Sequence, residues 1–293
     1  MARRALLIIN ENSRSGKAAL SKVVEGLIQL GIEPLHKHCG HRKELPTLIA
    51  KEGTNVDLVI VGGGDGTLNA AASGVAELRR PLGILFLGTA NDLARTLGIP
   101  TDLDSAMQVI ATGYTRPIDV GLVNGLMFFN VASVGMSAEL SRELTSDIKR
   151  RFGKLGYALA AICVLARARP FYSDIRYSGG QVRSLTLQVS VGNGRYYGGG
   201  NVVEKTATII DEYLRLYSLE LINSWQMVFM LRSFRRGEHG ASEKVLTLRD
   251  KEFEIRTRHP RPINADGEVL TQTPAVFEVV PKAIEVIVPQ NGG

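Results

Sequence analysis

Leu58-Val59-Ile60-Val61 is apolar, rich in β-branched residues and too short for a helix, so it reads as a buried strand. It runs directly into Gly62-Gly63-Gly64-Asp65-Gly66-Thr67-Leu68-Asn69. Glycines on both sides of Asp65 let the backbone turn sharply and approach a ligand with no Cβ in the way. Asp65 or Thr67 is expected to cap the helix that Leu68 begins. Free N–H groups and the helix dipole favour an anion at such a point. This strand, loop and helix are therefore expected to bind the phosphates of a nucleotide.

A second strand, Pro81 to Phe86, also ends in a glycine turn, Leu87-Gly88-Thr89-Ala90-Asn91-Asp92-Leu93-Ala94-Arg95. In a parallel α/β sheet, ligands bind at the carboxyl ends of strands, so the two loops support one site. The dinucleotide fingerprint fails, because its third glycine falls at Thr67. An acid inside the loop repels bare phosphate unless a cation intervenes, which favours a nucleotide–Mg²⁺ complex and phosphoryl transfer. The loop Asn10-Glu11-Asn12-Ser13-Arg14-Ser15-Gly16-Lys17 fails as a Walker A motif, since Glu11 and Ala18 stand where Gly and Ser or Thr are needed. His36-Lys37-His38-Cys39-Gly40-His41 has metal-ligand residue types but no distant partner set, and reads as surface histidines at a strand end.

The 293 residues suffice for two domains. Strands and helices alternate up to about residue 120. After Tyr114 come short strands with glycine turns, so 1–120 is expected to be an α/β domain and 121–293 a mostly β domain. In this half, Met127 to Val134, Val245 to Arg256, Ala275 to Val280 and Ile284 to Val288 each read as one strand. Asn264-Ala265-Asp266-Gly267-Glu268 puts two carboxylates at a hairpin turn, where one could accept the proton of an attacking hydroxyl. The net charge of +6 suits an anionic substrate or membrane surface; no basic run interleaved with aromatics suggests nucleic acid. Cys39 and Cys163 have no metal or redox spacing, which suits a reducing cytosol. The longest apolar segment, Leu155 to Ala166, falls short of the ~20 residues of a spanning helix, so any membrane contact is expected to be peripheral. Ser224 to Arg236, with Trp225, Phe229 and Phe234 beside several Arg, and the basic cluster Lys149 to Lys154 are candidate docking elements for anionic lipid.

Gly63 to Asn69, Gly88 to Arg95, Asn193-Gly194-Arg195-Tyr196-Tyr197-Gly198-Gly199-Gly200 and Asp266-Gly267-Glu268 occur in that order. Together they resemble the diacylglycerol kinase catalytic-domain family, in its short bacterial YegS-type lipid-kinase branch, over essentially the whole chain. The resemblance implies an N-terminal α/β nucleotide-binding domain, a C-terminal β-sandwich and an active site in the cleft between them. It implies ATP and Mg²⁺ as donor complex and the hydroxyl of a diacylglycerol- or phosphatidylglycerol-like membrane lipid as acceptor. It assigns ATP phosphates to Gly63, Gly64, Asp65, Gly66, Thr67, Leu68 and Asn69, the Mg²⁺ network to Asp65, nucleotide contact to Thr89 and the general base to Glu268. A nucleotide kinase of the NAD-kinase type and a non-catalytic lipid- or nucleotide-binding protein are the alternatives.

The chain departs from the family pattern in several places. The first loop lacks the family's Pro, and His36 to His41 occupies the region of a family Thr. The family's Leu-x-Asp-Gly-x-Leu segment, which binds a structural Mg²⁺ or Ca²⁺, reads Ile209-Ile210-Asp211-Glu212-Tyr213-Leu214 here. By the match the ligands would be Asp211 and the carbonyls of Thr208 and Tyr213. Glu212 replaces the glycine and is expected to alter that loop.

Overall fold

The computed structural model describes residues 2–11, 13–136, 138, 168–193, 196–197, 201–202, 208–220 and 245–290. The proposed membrane-docking segments and most of the Asn193–Gly200 motif lie outside them. Two compact units emerge. The first comprises the described residues up to Val120 and those from Pro281 on; the second comprises those between Gly121 and Val280.

The first unit alternates strands and helices: β1 (Arg3–Ile9), α1 (Arg14–Gln29), β2 (Ile32–His36), α2 (Leu45–Glu52), β3 (Leu58–Gly63), α3 (Asp65–Leu78), β4 (Leu82–Phe86), α4 (Asp92–Leu97) and α5 (Leu103–Thr112). The strands pair in parallel in the order β2-β1-β3-β4. Leu58 to Gly63 is buried throughout, as expected for a central strand covered on both faces. One face carries Leu7, Ile9, Ile60 and Leu85 against Val23 and Leu27 of α1 and Met107 and Ile110 of α5. Strand alternation turns Leu6, Ile8, Val59 and Val61 to the opposite face. There α2 and α3 approach so closely that a Cβ on Gly74 would lie 2.8 Å from Pro46 Cα.

The second unit is built from β5 (Thr115–Val123), β6 (Leu126–Phe128), β7 (Val131–Gly135), β8 (Phe171–Tyr177), β9 (Gly180–Thr186), β10 (Gln188–Gly192), β11 (Tyr196–Tyr197), β12 (Asn201–Val202), β13 (Leu214–Leu219), β14 (Val245–Asp250), β15 (Glu252–Thr257), β16 (Pro262–Ala265), β17 (Glu268–Gln272) and β18 (Ala275–Ile287). The chain passes between the units within β5 and again within β18. Strands β14-β13-β10-β7-β16-β17 form one antiparallel sheet. Strands β9 and β8, with β15 and the first part of β18, pair antiparallel in another. Phe253, Ile255, Phe277 and Ile175 of the latter share a core with Leu214, Leu216, Val189 and Val134 of the former. The unit is therefore a mostly β structure with two faces packed together.

Three sequence expectations are corrected here. Val245 to Arg256 is two strands in different sheets, because Asp250 turns the chain by accepting from the amides of Lys251 (2.7 Å) and Ser178 (2.6 Å). Ala275 to Val288 is not two strands. It is one long β18 that ends at Ile287, in which Lys282 takes φ +51° and donates its amide to Asp119 at 2.9 Å. Met127 to Val134 is interrupted at Phe129 and Asn130, for a reason that belongs to the functional site.

Candidate active site

In the first unit, three strand ends are tied side by side. The Asn10 amide donates to Gly62 O (2.9 Å) and the Leu87 amide to Gly63 O (3.0 Å). Gly64 caps α3 with extended backbone (φ −92°, ψ 179°), and its carbonyl accepts from the amides of Thr67 (2.9 Å) and Leu68 (3.2 Å). The expected cap on Asp65 or Thr67 is not found. A cap residue must lie outside the helical backbone, and the helix already starts at Asp65. The Thr67 hydroxyl instead accepts from Asn10 Nδ2 at 3.3 Å. Leu68 is wholly buried, so its side chain serves the core, while Gly64, Asp65, Gly66 and Asn69 remain half-buried.

The two glycine loops meet backbone to backbone. A Cβ on Gly88 would lie 2.5 Å from Gly64 Cα, closer than real atoms approach. Beyond Gly88, Thr89 is exposed. Asn91 adopts the left-handed conformation (φ +51°) and donates from Nδ2 to Gly88 O at 3.1 Å. Asp65 Oδ1 accepts from the Leu93 amide at 3.4 Å, so its carboxylate joins the first loop to the second. Burial pushes the Asp65 carboxyl above its ordinary value; the Leu93 amide opposes this, and the negative charge of Asp92 adds to it. A carboxylate held at this cost beside a second acid, within a glycine cradle, fits a site that receives phosphate together with a cation.

At the rim of the same sheet, Glu11 Oε1 faces His38 Nδ1 at 2.9 Å and His36 Nε2 at 3.3 Å. The hydrogen bond with His38 is the largest influence holding the Glu11 carboxyl below its usual range. Among the described residues, no group of three His, Cys, Asp or Glu is arranged to hold a metal. Through Glu11, His36 and His38 tie the first loop to the end of β2. Glu11 was the partner that sequence spacing could not supply.

In the second unit, β16 and β17 form a hairpin whose turn residues, Asp266 (φ +48°) and Gly267 (φ +92°), are both left-handed. The Asp266 carboxylate accepts from the amides of Phe129 (2.6 Å), Asn130 (3.0 Å) and Val131 (3.1 Å). That capture is what breaks the run from Met127 to Val134. Asn193 reinforces the bend, donating from Nδ2 to Phe129 O at 2.9 Å and from its amide to Asn130 O at 2.8 Å. Asp266 is thus an acceptor for backbone amides. Glu268, the other carboxylate of the turn, is half-buried at the start of β17 and paired in register with Ala265.

The Asp211 turn lies elsewhere in this unit. Glu212 does take the left-handed backbone (φ +61°), contrary to the expectation that a side chain would alter the loop there. Asp211 Oδ1 accepts from the Tyr213 amide at 3.3 Å, and Oδ2 is ion-paired with Arg215.

Residues 4–123 match the model of the diacylglycerol kinase catalytic domain, and residues 130–288 match that of the YegS C-terminal NAD kinase beta sandwich-like domain. The chain belongs to the diacylglycerol kinase catalytic-domain family. It is 30% identical to a diacylglycerol kinase of Bacillus subtilis (strain 168), over 99% of this chain and 97% of that protein. The same identity, 30%, holds with a diacylglycerol kinase of Staphylococcus carnosus (strain TM300), over 99% and 97%. A solved diacylglycerol kinase structure from Bacillus anthracis str. Sterne matches with a TM-score of 0.78 at 26% identity, over 99% of this chain and 98% of that one. The chain is therefore a member of a lipid kinase family, with an α/β domain followed by a mostly β domain.

Proposed function

We propose that the protein transfers the γ-phosphoryl group of ATP to a hydroxyl of a diacylglycerol- or phosphatidylglycerol-like membrane lipid. The observation that carries this reading is the pair of interlocked glycine loops closed around the half-buried Asp65. ATP with Mg²⁺ supplies the electrophilic phosphorus and offsets the charge on its oxygens. Within Gly63 to Asn69, the backbone of Gly63, Gly64, Asp65 and Gly66 would hold the phosphates, with Thr67 and Asn69 flanking it on α3, Thr89 at the nucleotide and Asp65 toward the cation. Leu68 contributes only by anchoring α3. Glu268 would accept the proton of the lipid hydroxyl as its oxygen bonds to phosphorus and ADP leaves. Asp266 holds the turn that presents Glu268.

The nucleotide role belongs to the α/β domain expected up to residue 120, and the lipid role to the mostly β domain after it. No helix among the described residues is long and apolar enough to cross a membrane. An acceptor lipid then requires peripheral contact with a bilayer, which we assign to the cytoplasmic side and to an anionic surface. Nucleic acid has no part in this reading.

Labelled ATP and Mg²⁺ incubated with diacylglycerol, phosphatidylglycerol, ceramide and NAD tests the proposal. Label is expected in a glycerolipid. Label in NADP would favour the nucleotide-kinase alternative, and none in any acceptor the non-catalytic one. A second expectation concerns Gly88→Ala. The new methyl must push Gly64 away, and displacing a positioned group by about 1 Å costs on the order of 10²-fold. Equilibrium binding should show ATP affinity down by about tenfold or more, with the α/β fold retained by circular dichroism. Unchanged affinity would remove the loop contact from nucleotide binding.

A further inference from the structure

The turn at Asp211 is where the family resemblance implies a structural divalent cation, and the residues present do not fit one. We propose that this turn is metal-free and that the guanidinium of Arg215 serves as its built-in cation. Arg215 is the second residue of β13, between β10 and β14, and its side chain is only 7% exposed. A guanidinium buried to that extent needs a charged partner, and Asp211 Oδ2 is that partner. Arg249, opposite Arg215 in the strand register, brings a second guanidinium to 3.9 Å from the same oxygen. The remaining oxygen, Oδ1, accepts from the Tyr213 amide. Both carboxylate oxygens are therefore engaged from within the chain.

The surroundings carry the same sign. Arg249 lies 3.9 Å and Lys251 5.6 Å from the Tyr213 ring centroid, and Lys251 Nζ is 3.8 Å from Glu212. Among the described residues, three cations, Arg215, Arg249 and Lys251, are paired with two acids, Asp211 and Glu212. A divalent ion requires six or more oxygen ligands and would have to displace a buried guanidinium against these cations. The same pairing explains how Glu212 keeps a glycine-type backbone. The turn is fixed on one side by the Tyr213 amide and on the other by the Asp211–Arg215 ion pair, so no metal is needed to close it.

The test is thermal unfolding of the nucleotide-free protein in EDTA, in Mg²⁺ and in Ca²⁺, with Asp211→Asn run in parallel. A site filled at a hundred times its dissociation constant would raise Tm by about 5 °C. The expected result is that the wild-type curves superimpose. A metal-dependent rise in the wild type that Asp211→Asn abolishes would overturn the proposal. Arg215→Met should lower Tm by about 5 °C or more, since it leaves Asp211 without its buried partner. If Arg215→Met is as stable as the wild type, the ion pair does not close the turn and the proposal fails. Should that variant not fold, the metal titration of the wild type still decides.

Discussion

Replacing Glu268 with Gln is expected to cut lipid phosphorylation by about 10²-fold or more while leaving ATP affinity unchanged. That loss corresponds to about 2.7 kcal/mol of barrier, the low end of what a positioned general base contributes. Gln keeps the size and polarity of the side chain and removes only its ability to take a proton. The structure supplies a control from the same turn. Asp266 is engaged by three backbone amides, so Asp266→Asn removes a charged acceptor that shapes the bend at Phe129 and Asn130. Hydrogen bonds to a charged group contribute about 1.5–3 kcal/mol each. Asp266→Asn should therefore lower Tm by about 5 °C or more and reduce activity through lost structure. Glu268→Gln should instead lower turnover far more than it lowers Tm. Initial rates, nucleotide binding and melting curves on the two variants separate these roles. Equal turnover in Glu268→Gln would remove it from the mechanism.

Much of the first unit is legible in the sequence because its signals are local. Leu58 to Val61 is a short apolar run bounded by glycine, and a central parallel strand needs little more. The cap of α3 was misread because Asp65 and Thr67 are good cap residues in isolation. Their side chains are instead taken up by Leu93 and Asn10, which are distant in sequence. The second unit hides its breaks for the same reason. Nothing near Phe129 announces a bend, since its cause is a carboxylate more than a hundred residues later. At the Asp211 turn, the family resemblance implied a metal, and only the fold shows a buried arginine facing the acid. In each case the missing information is a partner supplied by tertiary structure, which sequence spacing does not encode.

Asp65 yields the other large effect, and its sign is opposite in stability and in activity. Burial is the main reason its carboxyl sits above the ordinary value of 3.8, with Asp92 adding to it. A carboxylic acid whose folded pKa is raised binds protons more readily in the native state than in the unfolded one. Its charge therefore disfavours the fold above the folded pKa, and that penalty is relieved as pH falls through the folded pKa toward 3.8. Asp65→Asn removes the charge and retains an oxygen for the Leu93 amide. At neutral pH its Tm should equal or exceed that of the wild type by about 1–3 °C. The difference should shrink as the solution is acidified through this window, because the wild-type group becomes neutral there too. Turnover should nonetheless drop by about 10²-fold or more, since a neutral amide cannot balance a cation beside the phosphates. A variant both more stable and nearly inactive would mark Asp65 as a group kept at the expense of the fold. If Asp65→Asn melts lower than the wild type and keeps its activity, the carboxylate only links the two loops, and the glycine cradle must receive its nucleotide by another route.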